Sequence, residues 1–354
     1  MIRAIPAVVL GGTGYVAGEL LRLIAAHPQF SLAGIISDRK PGEAVAQAFA
    51  HLAAAYPEER FSSQAEIETI VARETSTAIF SAAPHGAAAA LIDALLTKAE
   101  SAGRQPHVVD ISADFRYASS AAYEAVYGHA HGAPARLGSF TCAVPEHLQH
   151  IGTPHVAHPG CFATATLLAS VPLLALGLAV PELYVTAVTG STGSGRKPVD
   201  GTHHPTRHSD LYAYPNALGH RHTPEIKACA LAASGVEAHF AFVPHSGPFA
   251  RGIYATVQAS LRAPHDTQHI LGALREFYAR SHFVRVGGSS PRIKEVAGSN
   301  YAQLSAVSDG RTVAVFCAID NLNKGAAGGA VQWMNRLYGL AETAGLMAPA
   351  AGWT

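Results

Sequence analysis

Gly11-Gly12-Thr13-Gly14-Tyr15-Val16-Ala17-Gly18 is the stretch on which the fold turns. Before it, residues 5–10 (IPAVVL) form an apolar run of strand length. After it, residues 17–27 (AGELLRLIAAH) carry Leu20, Leu23 and Ile24 at helical spacing, and residues 31–36 (SLAGII) make a second apolar run. Strand, glycine turn, helix and strand in that order predict a βαβ unit with a parallel sheet. Gly11 and Gly14 have no Cβ, so the main chain can turn sharply and approach a ligand closely. The spacing G-x-x-G-x-x-A is a variant of the dinucleotide fingerprint, and the free N–H groups at the start of the next helix favour a pyrophosphate. At the end of the second strand stands Ser37-Asp38-Arg39-Lys40. A hydroxyl followed by basic side chains suits a 2′-phosphate, which predicts NADP, whereas Asp38 is the residue type that holds a free ribose 2′-hydroxyl.

Outward from this turn the alternation continues. Thr77–Ala82 reads as a strand, His85–Ala99 as an alanine-rich helix and His107–Ile111 as a strand. Past residue 180 the rhythm changes: LYVTAVTG, VEAHFAFVP, GIYATVQASL and RTVAVFCAI are β-rich runs, with a helix at about 267 to 280 between the last two. From Lys324 the helical period returns. The predicted class is α/β: a first domain with a parallel sheet, then an α+β domain with an antiparallel sheet, and a tail from Lys324 that can pack back on the first. Phe162–Val180 is uncharged throughout, but Pro172 divides it and no basic cluster flanks it, so it reads as a buried helix rather than a membrane span. The first ten residues are too short an apolar stretch for a signal peptide before the glycines begin.

Lys and Arg number 25, Asp and Glu 25, and charged residues make up only 14% of the chain against 49% hydrophobic ones. This balance argues against a disordered tail and a basic nucleic-acid binder. The four cysteines, Cys142, Cys161, Cys229 and Cys317, show no paired spacing, which points to a reduced, cytoplasmic setting. Cys161 stands apart. Pro159-Gly160 sets an abrupt turn before it and the uncharged helix begins at it, so the positive helix end would favour the thiolate and make it a nucleophile. A thiol nucleophile beside a nicotinamide implies attack on an acyl carbon or aldehyde and hydride exchange. Its acid/base partner is sought in Gly219-His220-Arg221-His222-Thr223-Pro224-Glu225, where two imidazoles precede a helix start and Glu225 can orient one of them.

Ten segments, read together, resemble the N-acetyl-γ-glutamyl-phosphate reductases and the related reductases of aminoadipyl phosphate. They are GGTGYVAGELLRLIAAHP (11–28), APHG (83–86), VVDISADFR (108–116), VPE (144–146), PGCFATA (159–165), GSTGSGRKP (190–198), GHRHTPEI (219–226), PHSGPFARGI (244–253), GSN (298–300) and DNLNKGAAGGAVQ (320–332). The resemblance implies a Rossmann NADP-binding domain over 1–158 with 324–354 and an inserted α+β domain with a mostly antiparallel sheet over 159–323. It also implies that Gly11, Thr13, Gly14, Tyr15, Val16, Ser37, Arg39, Pro84 and Asn321 hold NADP, with Asn321 near the nicotinamide amide. It makes Cys161 the nucleophile and places His220 and His222 on the acid/base motif, with His220 favoured as the group near the thiol. Arg251 would grip the substrate carboxylate, Ser191, Ser194 and Arg196 would serve the phosphate or the intermediate oxygen, and Arg116 and Glu225 would also contact substrate.

The implied reaction is reduction of an acyl phosphate through a Cys161 thioester in a homodimer or homotetramer, with no nucleic-acid or membrane partner and no metal. His158 and Cys142-Ala143-Val144 depart from the family pattern. CFATA and THHP lean toward the aminoadipyl relatives, whereas TGSGRKP and HRHTPEI lean toward the glutamyl enzyme, which ranks first. Two readings outside the family remain: a zinc hydrolase using the pairs His129/His131, His203/His204 and His220/His222, and a non-catalytic NADP-binding redox sensor.

Overall fold

A computed structural model describes residues 4–37 and 40–353. Asp38 and Arg39, on which part of the NADP reading falls, lie outside the described residues. In chain order the elements are β1 (Ile5–Leu10), α1 (Tyr15–Ala25), β2 (Phe30–Ile35), α2 (Val45–Ala48), α3 (Gln64–Arg73), β3 (Ala78–Ser81), α4 (Ala88–Ser101), β4 (His107–Asp110), α5 (Ser120–Tyr127), β5 (Phe140–Cys142) and β6 (His155–Ala157). Then come α6 (Cys161–Ala175), β7 (Ala179–Thr189), α7 (His204–Arg207), β8 (Tyr212–Ala213), α8 (Thr223–Ser234), β9 (His239–Ser246), β10 (Ile253–Leu261), α9 (Thr267–Phe277), β11 (Val284–Val286), β12 (Ala302–Ser308), β13 (Thr312–Ile319) and α10 (Gly328–Leu337).

The chain divides into two compact units. The first comprises 1–142, 150–158 and 327–347. Its six strands are all parallel, in the order β2-β1-β3-β4-β6-β5. Val8, Leu10, Ile79 and Val108 are fully buried, as the near-continuous apolar strands of a sheet covered on both faces require. Helix α10 returns to this unit and is locked by polar contacts. His27 accepts the main-chain N–H groups of Gln29 and Phe30 on Nδ1, which leaves Nε2–H to donate to Asn335 Oδ1 at 3.0 Å. The Tyr338 hydroxyl meets that of Ser76 at 2.9 Å.

The second unit comprises 143–149, 159–326 and 348–354. Its seven-stranded sheet runs β11-β12-β13-β10-β7-β9-β8. The sheet is mostly antiparallel, as the sequence reading has it: β7/β9 and β11/β12 are parallel pairs, and the other four are antiparallel. Helix α6 packs on β7, β10 and β13. That explains a helix apolar on every side: Phe162–Leu174 is buried at each position. Among the described residues no helix is long and apolar enough to cross a membrane.

Within the range 1–158, the segment Ala143–Gln149 is part of the second unit. The physical reason is a buried ion pair. Glu146 Oε1 receives Lys324 Nζ at 2.5 Å, with the two side chains 2% and 0% exposed. Beside it, His147 Nε2 meets the Tyr278 hydroxyl at 2.8 Å, and that hydroxyl donates to the Leu168 carbonyl.

Candidate active site

In the first unit, the turn between β1 and α1 has the features a dinucleotide phosphate needs. Gly11 has φ +77°, and a Cβ there would lie 2.5 Å from the Ala82 carbonyl oxygen, so only glycine lets β1 end against the strand beside it. Gly12 is equally confined, by Ile35 and the Ile36 carbonyl. Gly14 differs: it is the N-cap of α1, no side chain caps it, and a Cβ there would meet nothing closer than 4.0 Å. The helix N-terminus therefore keeps uncapped N–H groups beside open space. Gly18 serves packing, one turn into the helix against Phe49. Thr13, Val16 and the exposed Tyr15 flank the opening, and Pro84 is exposed before α4. Ser37 is buried at the end of β2, and Lys40 pairs with Glu43 at 2.6 Å on the surface.

In the second unit, Cys161 is the first residue of α6, after Gly160. It is partly exposed and not in a disulfide. At that position the sulfur lies in the field of the helix N-terminus, which favours negative charge on it. The peptide before it is held firmly. The buried carboxylate of Glu225 accepts the Gly160 N–H at 2.8 Å, and a Cβ on Gly160 would come within 2.7 Å of His222 Nε2 and 2.8 Å of Glu225 Oε1. On another side, a Cβ at Gly325 would lie 2.6 Å from the Cys161 Cβ. Gly325 sits in a π-helical turn, Asn323–Ala327, which contains the ion-paired Lys324.

His220 and His222 lie edge to face, with ring centroids 4.8 Å apart, and both flank Phe162. Burial, and then the charge of Arg221, push the His220 imidazole down to about 4. Its Nδ1 accepts the His222 main-chain N–H at 3.2 Å, so the neutral ring carries its proton on Nε2. The sequence reading favoured His220 as the partner of the thiol, yet His222 is the ring packed on the peptide that precedes Cys161. Tyr214, which that reading did not single out, meets His220 and Phe162 edge to face, with ring centroids 5.6 and 6.1 Å apart. Its hydroxyl is pushed up first by burial and next by the nearby Cys161 charge.

The parallel strands β7 and β9 end together at Thr189 and Ser246. After β7 comes the glycine turn with Ser191, Ser194 and Arg196, the last two exposed; after β9 comes the loop that carries Arg251. Gly190 has no room for a Cβ, which would lie 2.4 Å from the Ala250 oxygen, so the two loops are packed into each other. Arg251 Nε donates to the buried Asp320 carboxylate at 2.9 Å. Asp320 also accepts the N–H groups of Gly298, Leu322 and Asn323.

Three of the site residues read from the sequence make hydrogen bonds within their own units. Asn321 spends its carboxamide inside the second unit, accepting the Gly252 N–H at 2.7 Å and donating to Thr192 Oγ1 at 3.0 Å. Arg116 donates to the carbonyls of His158 and Ile111 within the first unit. Glu225 is 0% exposed and reaches Gly160, not solvent. All three have motif positions that suit ligand contact, and these hydrogen bonds also brace the main chain around them. Among the described residues no three of His, Cys, Asp and Glu converge as a metal-binding set.

Comparison with known proteins agrees with this division. Residues 6–140 match the family described as semialdehyde dehydrogenase, NAD binding domain, and residues 161–321 the one described as semialdehyde dehydrogenase, dimerisation domain. The fold recurs in aspartate semialdehyde dehydrogenase II of Vibrio cholerae complexed with ASA, with a TM-score of 0.66 at 15% identity over 95% of this chain and 98% of that one. An aspartate semialdehyde dehydrogenase of Candida albicans, solved with NADP, has the same TM-score, identity and coverage. The two matches define an enzyme of the semialdehyde dehydrogenase class that uses a nicotinamide cofactor. Proteins named N-acetyl-gamma-glutamyl-phosphate reductase are 38% identical in Symbiobacterium thermophilum and 40% identical in Pseudomonas entomophila, over 96% of this chain and 96% of each relative. The counterpart in Methanopyrus kandleri is 38% identical over 96% of this chain and 97% of its own length. The chain belongs to the N-acetyl-γ-glutamyl-phosphate reductase family.

Proposed function

We propose that this chain catalyses the NADPH-dependent reduction of N-acetyl-γ-glutamyl phosphate to N-acetylglutamate semialdehyde and inorganic phosphate, a step of arginine biosynthesis. The observation that carries the chemistry is Cys161 as the first residue of a buried helix, with Gly160 held by Glu225 and packed against His222. The Cys161 thiolate attacks the acyl carbon; the carbon–oxygen bond to phosphate breaks and a thioester forms. When bound, NADPH supplies the hydride that reduces the thioester carbonyl. The carbon–sulfur bond then breaks, the aldehyde leaves, and the thiolate is restored. His220, neutral and protonated on Nε2, is a hydrogen-bond donor for the oxygen on which charge develops. His222 and Glu225 hold the nucleophile's main chain. Arg251 and the 190–196 turn bind the substrate's anionic ends.

The preference for NADP over NAD is supported by Ser37 and by the basic residues that follow it in sequence. Gly11, Thr13, Gly14, Tyr15 and Val16 line the turn suited to the pyrophosphate, with Pro84 at the neighbouring loop. We also read the protein as a cytoplasmic homodimer or homotetramer. The sheet face of the second unit leaves Tyr184 52% and Val307 50% exposed, and the matched family is described as a dimerisation domain.

Cys161→Ser tests the assignment: reduction falls by at least about a thousandfold while NADP binding stays within a few fold. Full activity in this variant would overturn the thioester route. Turnover on glutamyl and aminoadipyl semialdehydes, each with and without the N-acetyl group, fixes the acyl chain.

A further inference from the structure

Arg207 is a buried charged side chain in the second unit that the reaction as described leaves unused. It is 7% exposed, and its Nη2 donates to the Gly247 carbonyl. Nε and Nη1 are buried with no protein acceptor, and no carboxylate pairs with this guanidinium among the described residues. A buried cation with two idle donors is costly unless something fills them.

Its surroundings say what does. Gly247 directly follows β9 and donates its N–H to Thr189 at the end of β7, so the guanidinium is anchored where the two parallel strands end. The glycine turn with Ser191 and Ser194 and the loop with Arg251 leave from the same ends. Arg207 also lies over the Tyr212 ring, 5.8 Å from its centroid. Tyr212 pairs with Ser246, and the pairing runs on to Tyr214, whose N–H donates to Pro244. Residues two apart on an extended strand share a face. Arg207 against Tyr212 and the His220–Phe162 cluster against Tyr214 are therefore neighbours on one face. The Tyr214 hydroxyl feels both charges, Cys161 raising it and Arg207 lowering it.

Charge balance points the same way. Arg251 is already bonded to a buried carboxylate, Asp320, whereas the proposed substrate brings a carboxylate and a phosphoryl group. We infer that Arg207 binds an oxyanion of the substrate, supplying a second guanidinium that works beside Arg251. The inference rests on the function proposed above. Its ligand chemistry is an oxyanion, carried by either the phosphoryl group or the carboxylate.

In the reverse direction these two groups arrive on separate molecules. Calorimetric titration of wild type and Arg207→Lys with inorganic phosphate, and separately with N-acetylglutamate semialdehyde, tells them apart without turnover. The expected result is a loss of about tenfold or more in affinity for one of the two, with the other and NADP within about twofold. Loss on phosphate places the phosphoryl group at Arg207; loss on the semialdehyde places the carboxylate there. Equal affinities in the two proteins for both ligands, including none in either, overturn the inference, as does a uniform loss that extends to NADP. Arg207→Lys keeps the buried charge, which guards against misfolding, and Arg207→Gln should show the same selective loss more strongly. Failure of the functional reading looks different: wild type would then bind these ligands yet not reduce NADP when phosphate and semialdehyde are supplied together.

Discussion

Two helix N-termini serve this protein, and they are built in opposite ways. At α1 the capping glycine faces open space, and no side chain caps the free N–H groups. At α6 the glycine is enclosed: Glu225 takes its N–H, His222 lies against its Cα, and Gly325 presses on the next residue. On the proposed function the first site admits and releases a cofactor, and main-chain N–H groups can recognise it with no rearrangement. The second must hold one sulfur atom in one place. Rigidity there is supplied by packing, because a reacting atom displaced by about 1 Å can cost about a hundredfold in rate.

Adding a single methyl to each turn breaks the comparison most directly. Gly160→Ala would bring a Cβ to within 2.7 Å of His222 and 2.8 Å of Glu225. The peptide carrying Cys161 must then shift, and we expect kcat to fall by about a hundredfold or more with the KM for NADP unchanged. Steady-state kinetics on the purified variant measures this; a kcat within threefold of wild type would show that the enclosure of α6 is incidental.

How far the two termini were legible in the sequence follows from the same contrast. The α1 turn is local: strand, glycines and helix lie within about twenty residues, and the periodicity alone places them. Cys161 was legible because Pro-Gly and an uncharged helix adjoin it. Its enclosure was not, since Glu225, His222 and Gly325 lie about sixty residues or more along the chain and only folding brings them together. Strand β12 (AQLSAVS) has too few large apolar residues to stand out, and it becomes a buried strand by pairing with β11 and β13. The parallel partnership of β7 and β9 and the placement of 143–149 likewise depend on long-range contacts. For Arg116, Asn321 and Glu225 the motif positions were visible, but a motif cannot show that each is also hydrogen-bonded to main chain 42 to 69 residues away.

Within the first turn, a smaller test sharpens the picture. Gly11 and Gly14 are three residues apart, yet the structure gives them different tasks. Gly11→Ala forces a Cβ into the Ala82 carbonyl at φ +77°, so it should destabilise the protein by about 1–3 kcal/mol, read as a lowered denaturant midpoint. Gly14→Ala has room and a φ of −79°, so stability should change by less than about 0.5 kcal/mol. Its methyl projects into the space where the pyrophosphate would lie, and the KM for NADP should rise by about tenfold. If the two variants lose stability equally, Gly14 is a structural glycine and not an opening for a ligand.

The smallest expected effect also sets one unit against the other, this time through pH. In the first unit, Asp110 is fully buried and its carboxyl is pushed up to about 6, chiefly by desolvation. In the second, burial pushes His220 down to about 4. Between pH 3.8 and 6 the folded protein holds a proton on Asp110 that the unfolded chain has released, so this group's contribution is present below 3.8 and is lost as pH rises through 6. Between pH 4 and 6.5 the unfolded chain protonates His220 while the folded protein does not, so that contribution is present above 6.5 and is lost as pH falls toward 4. The two slopes oppose each other in one window and partly cancel in the wild type. Asp110→Asn removes the first, and its stability relative to wild type should rise with pH by at most about 1.4 kcal/mol per unit. His220→Gln removes the second, and its stability relative to wild type should fall with pH over the same range. Urea unfolding of the three proteins at several pH values across this window decides the matter; parallel curves would mean that neither group titrates differently on folding, and that burial at these two positions leaves both charged forms as solvated as in the open chain.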